Sequence, residues 1–256
     1  MDLKIALVQY DIIWEDTQAN LSYLSNVLKS ISKDTDIVVL PEMFHSGFSM
    51  SPKGNAQVDG GEVLSWMKSM SDLNNVCIIG SVIVETNKGY VNRLYVVNGG
   101  KVSSYDKRHL FTMGDEHKHY LKGDERIVVE IKGWKLCPLI CYDLRFPVWS
   151  RNIGEAYDVL LYVANWPASR GDVWDVLLKA RAIENQSYVI GVNRIGCDKT
   201  ITYDGRSQVV DAKGSELINM GANEGVAYVE LKKDVLMKFR ECFPVLRDGD
   251  EFHINN

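Results

Sequence analysis

The sequence predicts an α/β fold in four layers. Two sheets pack face to face and each is covered outside by helices, an αββα sandwich. Three observations lead there. The candidate strands are almost continuously apolar, as in Ile37-Val38-Val39-Leu40, and strands of that kind need cover on both faces. Strands alternate with helical patterns, which favours parallel pairs joined by right-handed crossovers. The two halves also rhyme. Strand 5–9, helix, strand 36–40 has the same order as strand 136–141, short helix, strand 158–163. No close sequence repeat accompanies this, so the likeness is one of layers, with one sheet from each half.

Taken in order, Ile5 to Gln9 is an apolar run and the first strand. Asp16-Thr17 offers an N-cap, and Leu21, Leu24, Leu28 and Ile31 follow at helical spacing. Asp36 to Leu40 is the second strand, ended by Pro41-Glu42. Met43 to Gln57 has no period and holds Gly47, Pro52 and Gly54, the composition of a loop. Asp59 is expected to cap a helix to Asn74 that turns Val63, Trp66, Met67, Met70 and Leu73 inward. Val76–Val84, Tyr90–Val97 and Lys101–Tyr105 read as strands separated by Asn-Lys-Gly and Asn-Gly-Gly turns.

Asp106 to Arg126 carries charges, three histidines and two glycines without an apolar period. Loops of that length are uncommon unless functional or disordered. Ile127–Ile131 and Lys135–Cys141 are the next strands, and Pro147 can open a helical turn. Tyr157–Val163 is another buried run. Asp172 can cap a helix with Trp174, Leu177, Leu178 and Arg181 on one face. Tyr188–Asn193, Ser207–Val210 and Ala227–Leu231 complete the strands. The tail from Lys238 to Asn256 is mixed and reads as an arm outside the core. No linker divides the chain, so residues 1–256 are expected to form one domain.

Hydrophobic residues make up 46% and charged residues 25% of the 256 positions, ordinary values for a globular protein. The net charge of -5 and the lack of a basic stripe argue against a nucleic-acid partner. No run approaches a membrane span, and the apolar stretch after Met1 is too short for a signal peptide. Five irregularly spaced cysteines, at 77, 137, 141, 197 and 242, do not suggest a disulfide framework. Together these place the chain in the cytoplasm with reduced thiols.

Three reactive groups fall just past strand ends. Glu42 follows Val38-Val39-Leu40-Pro41, Lys107 follows the strand ending near Tyr105, and Cys141 ends the strand from Lys135. The carboxyl edge of a sheet is where α/β sites form. A lone free Cys usually packs as a small hydrophobe, and a lone Glu or Lys after a strand is usually solvated. The three together suit one task. A thiol with a pKa of about 8.5 is mostly protonated at neutral pH. A nearby carboxylate can take its proton, or a nearby ammonium can stabilise the thiolate. The carbonyl it attacks becomes an oxyanion, which Lys107 and the backbone N–H of Tyr142 could face.

These segments carry a resemblance. Leu40-Pro41-Glu42, Tyr105-Asp106-Lys107-Arg108-His109-Leu110 and Leu139 to Pro147 are similar, in that order, to the three signatures of the nitrilase superfamily of carbon–nitrogen hydrolases. Phe111 to His117, Val163-Ala164-Asn165-Trp166-Pro167, Arg181 to Asn185 and Phe243-Pro244-Val245-Leu246 resemble its bacterial omega-amidase branch. The resemblance implies the αββα fold and a homodimer; the 238–256 arm is a candidate to cross to the partner subunit. It also implies Cys141 as nucleophile, Glu42 as general base, Lys107 as oxyanion stabiliser and Glu116 as a second acid near the site. No metal or organic cofactor is required. The implied reaction is hydrolysis of the side-chain amide of a 2-oxo dicarboxylic acid monoamide, such as 2-oxoglutaramate or 2-oxosuccinamate. The competing readings are another amidase or N-carbamoyl amide hydrolase of the superfamily, and a non-catalytic binding protein on the same fold.

Phe44 and Phe48 are candidates for an acyl-pocket wall and Trp166 for its lining. Arg108, Lys118, Arg145 and Arg170 are candidates for a substrate carboxylate, although Asp143 and Arg145 are expected first as structural ion pairs. His117 and His119 invite a zinc reading, but a bare pair is a weak ligand set. Cys137 and Cys141 do not complete it, because four residues along one strand separate them by about 13 Å. A Cys–His dyad with His45 or His109 as base has no feature that favours it over Glu42.

Overall fold

The computed structural model describes residues 2–254. The first half runs β1 (Leu3–Gln9), α1 (Thr17–Lys29), β2 (Ile37–Val39), α2 (Pro52–Asn55), β3 (Gln57–Val58), α3 (Glu62–Asn74), β4 (Cys77–Thr86), β5 (Gly89–Asn98) and β6 (Lys101–Asp106). A long segment with one short helix, α4 (Glu116–His119), leads to β7 (Val129–Ile131), β8 (Trp134–Ile140), α5 (Pro147–Ser150), β9 (Val159–Val163), α6 (Gly171–Asn185) and β10 (Tyr188–Val192). The chain ends with β11 (Ile195–Cys197), β12 (Thr202–Asp204), β13 (Gln208–Val210), β14 (Glu216–Asn219), β15 (Gly225–Leu231) and α7 (Lys233–Cys242).

Two large sheets result. One has the order β15-β1-β2-β4-β5-β6, with β3 pairing onto β4, and the other has the order β14-β13-β10-β9-β8-β7. The central strands of each are parallel: β1, β2 and β4 in the first, β8, β9 and β10 in the second. The rhyme in the sequence is therefore one of topology. Alternation along β1 shows how the layers form. Leu3, Ile5 and Leu7 join the core shared with the second sheet. Ala6 and Val8 pack with Leu21, Leu24 and Leu28 of α1 and Val63 and Met67 of α3. On the second sheet, Trp174 and Leu178 of α6 lie so close to β10 that a Cβ at Gly191 would meet them at 2.6 Å. The helices lie outside and the sheets within, the predicted αββα order. Among the described residues no helix is long and apolar enough to cross a membrane.

The structure corrects several expectations. Asp16 caps α1 as predicted, accepting from the Ala19 N–H at 3.0 Å. Asp59 does not cap α3, which starts at Gly61-Glu62; its carboxylate instead accepts from Arg93 and the Tyr95 hydroxyl. Val63 and Met67 of α3 are buried and Trp66 and Met70 pack beside them as expected, Leu64 and Ser71 are buried too, and Leu73 points to solvent. The buried Ser71 hydroxyl donates to the Val76 carbonyl at 2.6 Å. Asp172 sits in the first turn of α6 and pairs with Arg206.

The tail is not an arm from Lys238. Residues 238–242 complete α7, and Arg240 is buried, donating to Asp158, the Tyr157 carbonyl and the Gln186 carbonyl. Leu246 is buried as well. The last residues of the expected arm, Asn255 and Asn256, lie outside the described residues. The segment 43–57, expected as a plain loop, contains α2 and β3, and its first residues are almost wholly buried.

Candidate active site

The first sheet brings Glu42 and Lys107 to its carboxyl edge, after β2 and β6. The second brings Cys141 and Asn165, after β8 and β9. The site is the seam where these edges meet. Both key turns leave their strands through a left-handed residue: φ is +45° at Met43 and +43° at Cys141. Such a conformation costs a non-glycine residue about 1–3 kcal/mol and must be held by its surroundings. At Met43 the backbone N–H donates to the Ser81 hydroxyl at 2.9 Å. At Cys141 the buried carboxylate of Asp143 does the holding. One of its oxygens accepts from the Ile140 N–H at 3.0 Å and the Tyr105 hydroxyl at 2.8 Å. The other accepts from the backbone and ring nitrogens of His109 at 3.0 and 2.8 Å. Asp143 thus ties the thiol's turn to the segment that carries Lys107.

Glu42, Lys107 and Glu116 are fully buried. Buried charges persist only when their bonding is complete, and here it nearly is. Lys107 Nζ donates to Glu42 Oε1 at 2.8 Å and to the two oxygens of Glu116 at 3.0 and 2.9 Å. Glu42 Oε1 also accepts from Asn92 Nδ2 at 2.8 Å, and Oε2 from the Asn165 N–H at 2.9 Å. The Asn165 side chain donates to the Glu42 carbonyl at 2.6 Å. Glu116 is held by the Phe111 N–H at 2.6 Å. Burial opposes the charge on Lys107, but Glu116 and Glu42 outweigh it and hold its ammonium above the ordinary lysine range. Glu116 is raised by burial despite Lys107.

Cys141 lies beside this trio and is 9% exposed. Burial and then the Glu42 carboxylate push its thiol well above the usual cysteine range, with Lys107 opposing. The resting sulfur therefore carries its proton. Passing that proton to Glu42 leaves the net charge of the buried cluster unchanged.

The thiol opens onto a pocket walled by Phe48, Phe111, Tyr142 and Trp166, with Arg145, Arg170 and Asn165 as polar groups and Ile201 and Tyr203 closing it. Arg145 stacks on Trp166 and Arg170 on Phe111, each at 5.2 Å from the ring centroid. Neither guanidinium pairs with a carboxylate among the described residues, so the structural ion pair expected for Arg145 does not form. Asp143 pairs with His109 instead.

Phe44 is corrected: it is buried against Trp66 and His45 behind the site and does not line the pocket. Arg108 lies over Trp149, and Lys118 pairs with Asp115 at the surface. Neither faces the thiol's pocket. Nor do the histidines. His45 Nε2 lies 3.1 Å from the Asn55 carbonyl, to which it donates, and burial pushes its imidazole down to about 4. His109 stacks on Phe146 and bonds Asp143.

Several residues escaped the sequence reading. Asn92 lies inside β5, and Asn165 stands in Val163-Ala164-Asn165-Trp166-Pro167 with nothing in its spacing to mark it. Ile201 and Tyr203 sit on a hairpin too short to show a period. Asn92, beside Arg93 in the otherwise apolar Tyr90–Val97, is the signal the sequence offers.

A buried thiol, two acids and a lysine thus meet at the seam of an αββα sandwich. The profile of the carbon–nitrogen hydrolase family matches residues 4–241. The chain belongs to that family. It is 46% identical to omega-amidase YafV of Escherichia coli K12 over 98% of both chains. It is 34% identical to 2-oxoglutaramate amidase of Bacillus subtilis, over 97% of this chain and 98% of that one. In structure it is similar to XC1258 of Xanthomonas campestris, a CN-hydrolase superfamily protein with an arsenic adduct in its active site. That match has a TM-score of 0.97 and 39% identity and covers all of both chains.

Proposed function

We propose that this chain hydrolyses the side-chain amide of 2-oxo dicarboxylic acid monoamides, 2-oxoglutaramate and 2-oxosuccinamate, to the diacid and ammonia. The observation that carries the reading is full-length likeness to an omega-amidase and a 2-oxoglutaramate amidase. The pocket supports it, because two unpaired guanidiniums suit an acyl group that ends in a carboxylate.

Cys141 attacks the amide carbon while Glu42 takes the thiol proton. The carbonyl oxygen becomes an oxyanion facing Lys107 and the Tyr142 N–H. All three Lys107 donors are already directed at carboxylates, so Lys107 acts mainly through its charge and Tyr142 supplies the hydrogen bond. Glu42 returns the proton to the nitrogen, ammonia leaves, and the acyl group remains on Cys141 as a thioester. Water then attacks the thioester and gives its proton to Glu42. The second tetrahedral intermediate expels the sulfur, which is reprotonated, and the diacid departs. Glu116 positions Lys107 throughout.

We read residues 1–256 as one catalytic domain acting in the cytoplasm as a homodimer. Exposed Val176 and Ile183, seven residues apart on α6, support a partner at that helix, and five free cysteines support a reducing compartment. Sedimentation of the chain, whole and ending at Asp248, tests the dimer and the remaining arm. Equal dimerisation of both would remove the arm. Ammonia release from 2-oxoglutaramate, aliphatic amides and N-carbamoyl amino acids tests the substrate. Preference for either of the latter two would overturn the omega-amide reading.

A further inference from the structure

The strands β11 and β12 belong to neither large sheet. They form a hairpin of their own, and two of its residues, Ile201 and Tyr203, complete the pocket above the thiol. The other walls are fixed to the framework. The Trp166 N–H donates to Asn193 and its indole to the Arg170 carbonyl. Phe48 lies under the Lys107 ammonium, and Phe111 is bound to Glu116. The hairpin lies outside both sheets and is tied to them through its two ends, by the Ile195 N–H to the Tyr10 carbonyl at 3.2 Å and by Arg206 to Asp204 at 2.8 Å. At its root the fully buried Arg194 donates to the carbonyls of Ile195, Ile12 and Cys197 and to Asp11, and it stacks 4.6 Å from the centre of the Tyr203 ring. At its tip a single carboxylate serves both pocket residues. Asp198 Oδ1 accepts from the Ile201 N–H at 2.8 Å, and Oδ2 accepts from the Tyr203 hydroxyl at 2.8 Å. Asp198 also closes the turn, its own N–H donating to the Ile201 carbonyl at 3.0 Å.

We propose that the β11–β12 hairpin gauges the length of the acyl chain, with Ile201 and Tyr203 as the specificity-determining wall and Asp198 as the positioning residue that sets it. The pocket has a free volume of about 30 Å³, whereas one water needs roughly 10–15 Å³. That is too little for 2-oxoglutaramate itself, so a wall must move for any substrate to enter, and the hairpin, outside both sheets, is the wall whose displacement grows with acyl length. A methylene in or out of an apolar pocket changes selectivity by roughly 10–200-fold. Asp198 does not line the pocket, so its effect on length selectivity must pass through the two residues that it holds.

The inference rests on the proposed amidase reading for its substrates but not for its logic. The experiment measures kcat/KM for 2-oxoglutaramate and for its six-carbon homologue, 2-oxoadipamate, and reads their ratio. Ile201→Ala is expected to raise the six-to-five ratio about 10-fold or more. Asp198→Ala is expected to raise it severalfold, with a larger change in KM than in kcat. Asp198→Asn retains an acceptor for the turn and should stay within about twofold of the native ratio. A folded Ile201→Ala and a folded Asp198→Ala that both keep the native ratio would overturn the gauge. A variant that fails to fold is replaced by Ile201→Val, for which a smaller rise is expected. If the native protein does not turn over 2-oxo amides, the amidase reading fails on that point alone. The length ratio is then read from butyramide and hexanamide. Native turnover of neither series overturns both.

Discussion

Replacing Glu42 by glutamine should move two properties of Cys141 in opposite directions. Turnover of an amide should fall by about 10²–10⁴-fold, the worth of a positioned proton acceptor, which is roughly 2.7–5.4 kcal/mol of barrier. Ionisation of the thiol should become easier, because the Glu42 carboxylate is the largest charge holding that thiol protonated. The shape of the site changes little. A glutamine oxygen can still accept from Asn92 and Lys107, in place of Oε1. Its amide nitrogen would face the Asn165 N–H, donor against donor, and lose the 2.9 Å bond. That loss should lower stability by about 1–3 kcal/mol, a fall in Tm of about 2–4 °C per kcal/mol for a chain of this size. Ammonia release gives the first quantity, and the rate of iodoacetamide alkylation from pH 7 to 10 gives the second. In the native protein alkylation should still be rising beyond pH 9, and in Glu42→Gln its midpoint should shift down. A folded variant that keeps turnover within tenfold, or whose alkylation profile does not shift down, would refute Glu42 as the proton acceptor.

Further outcomes are expected. Asp143→Ala removes a carboxylate that accepts four bonds, so it should cost about 3–5 kcal/mol of stability by urea unfolding and abolish turnover. Arg145→Gln and Arg170→Gln should each raise KM for 2-oxoglutaramate, by about 10-fold or more if a charged hydrogen bond is lost, and should affect a neutral amide far less in the same assay. His45 is held neutral by burial down to about 4, against 6.5 in the open. Below 6.5 the unfolded chain takes the proton and the folded chain does not, so stability is complete above about 6.5 and falls as the pH drops toward 4. The fall should be about 3 kcal/mol; His45→Gln should lack it, and urea midpoints at pH 7, 5.5 and 4.5 would measure it.

Much of this molecule is legible in its sequence because its strands are buried on both faces. Ile37-Val38-Val39 and Val159 to Val163 are apolar without interruption, and a charged or nucleophilic residue just past such a run stands out. Glu42, Lys107 and Cys141 were visible for that reason. The residues that hold them were not. Asn92 reads as an odd position within a strand, and only the fold shows that it donates to Glu42 from the neighbouring strand pair. On α3, Val63, Trp66, Met67 and Met70 pack inward as the period predicts, and only Leu73, which fits the same period, turns to solvent while Leu64 is buried. Tyr203 and Ile201 lie on strands of three residues or in their turn, too short for any period to appear. The tail looked like an arm because α7 buries few apolar side chains and docks largely through the polar contacts of Arg240, which a hydrophobic pattern does not reveal.

The central claim is that Cys141 carries an acyl group derived from a 2-oxo amide. The most direct test is ammonia release from 2-oxoglutaramate by the native protein and by Cys141→Ala, with the native protein also quenched in acid and weighed by mass spectrometry. Turnover by the native protein alone, with a quenched mass increased by the substrate less ammonia at Cys141, is the predicted result. Turnover that survives in Cys141→Ala would contradict it.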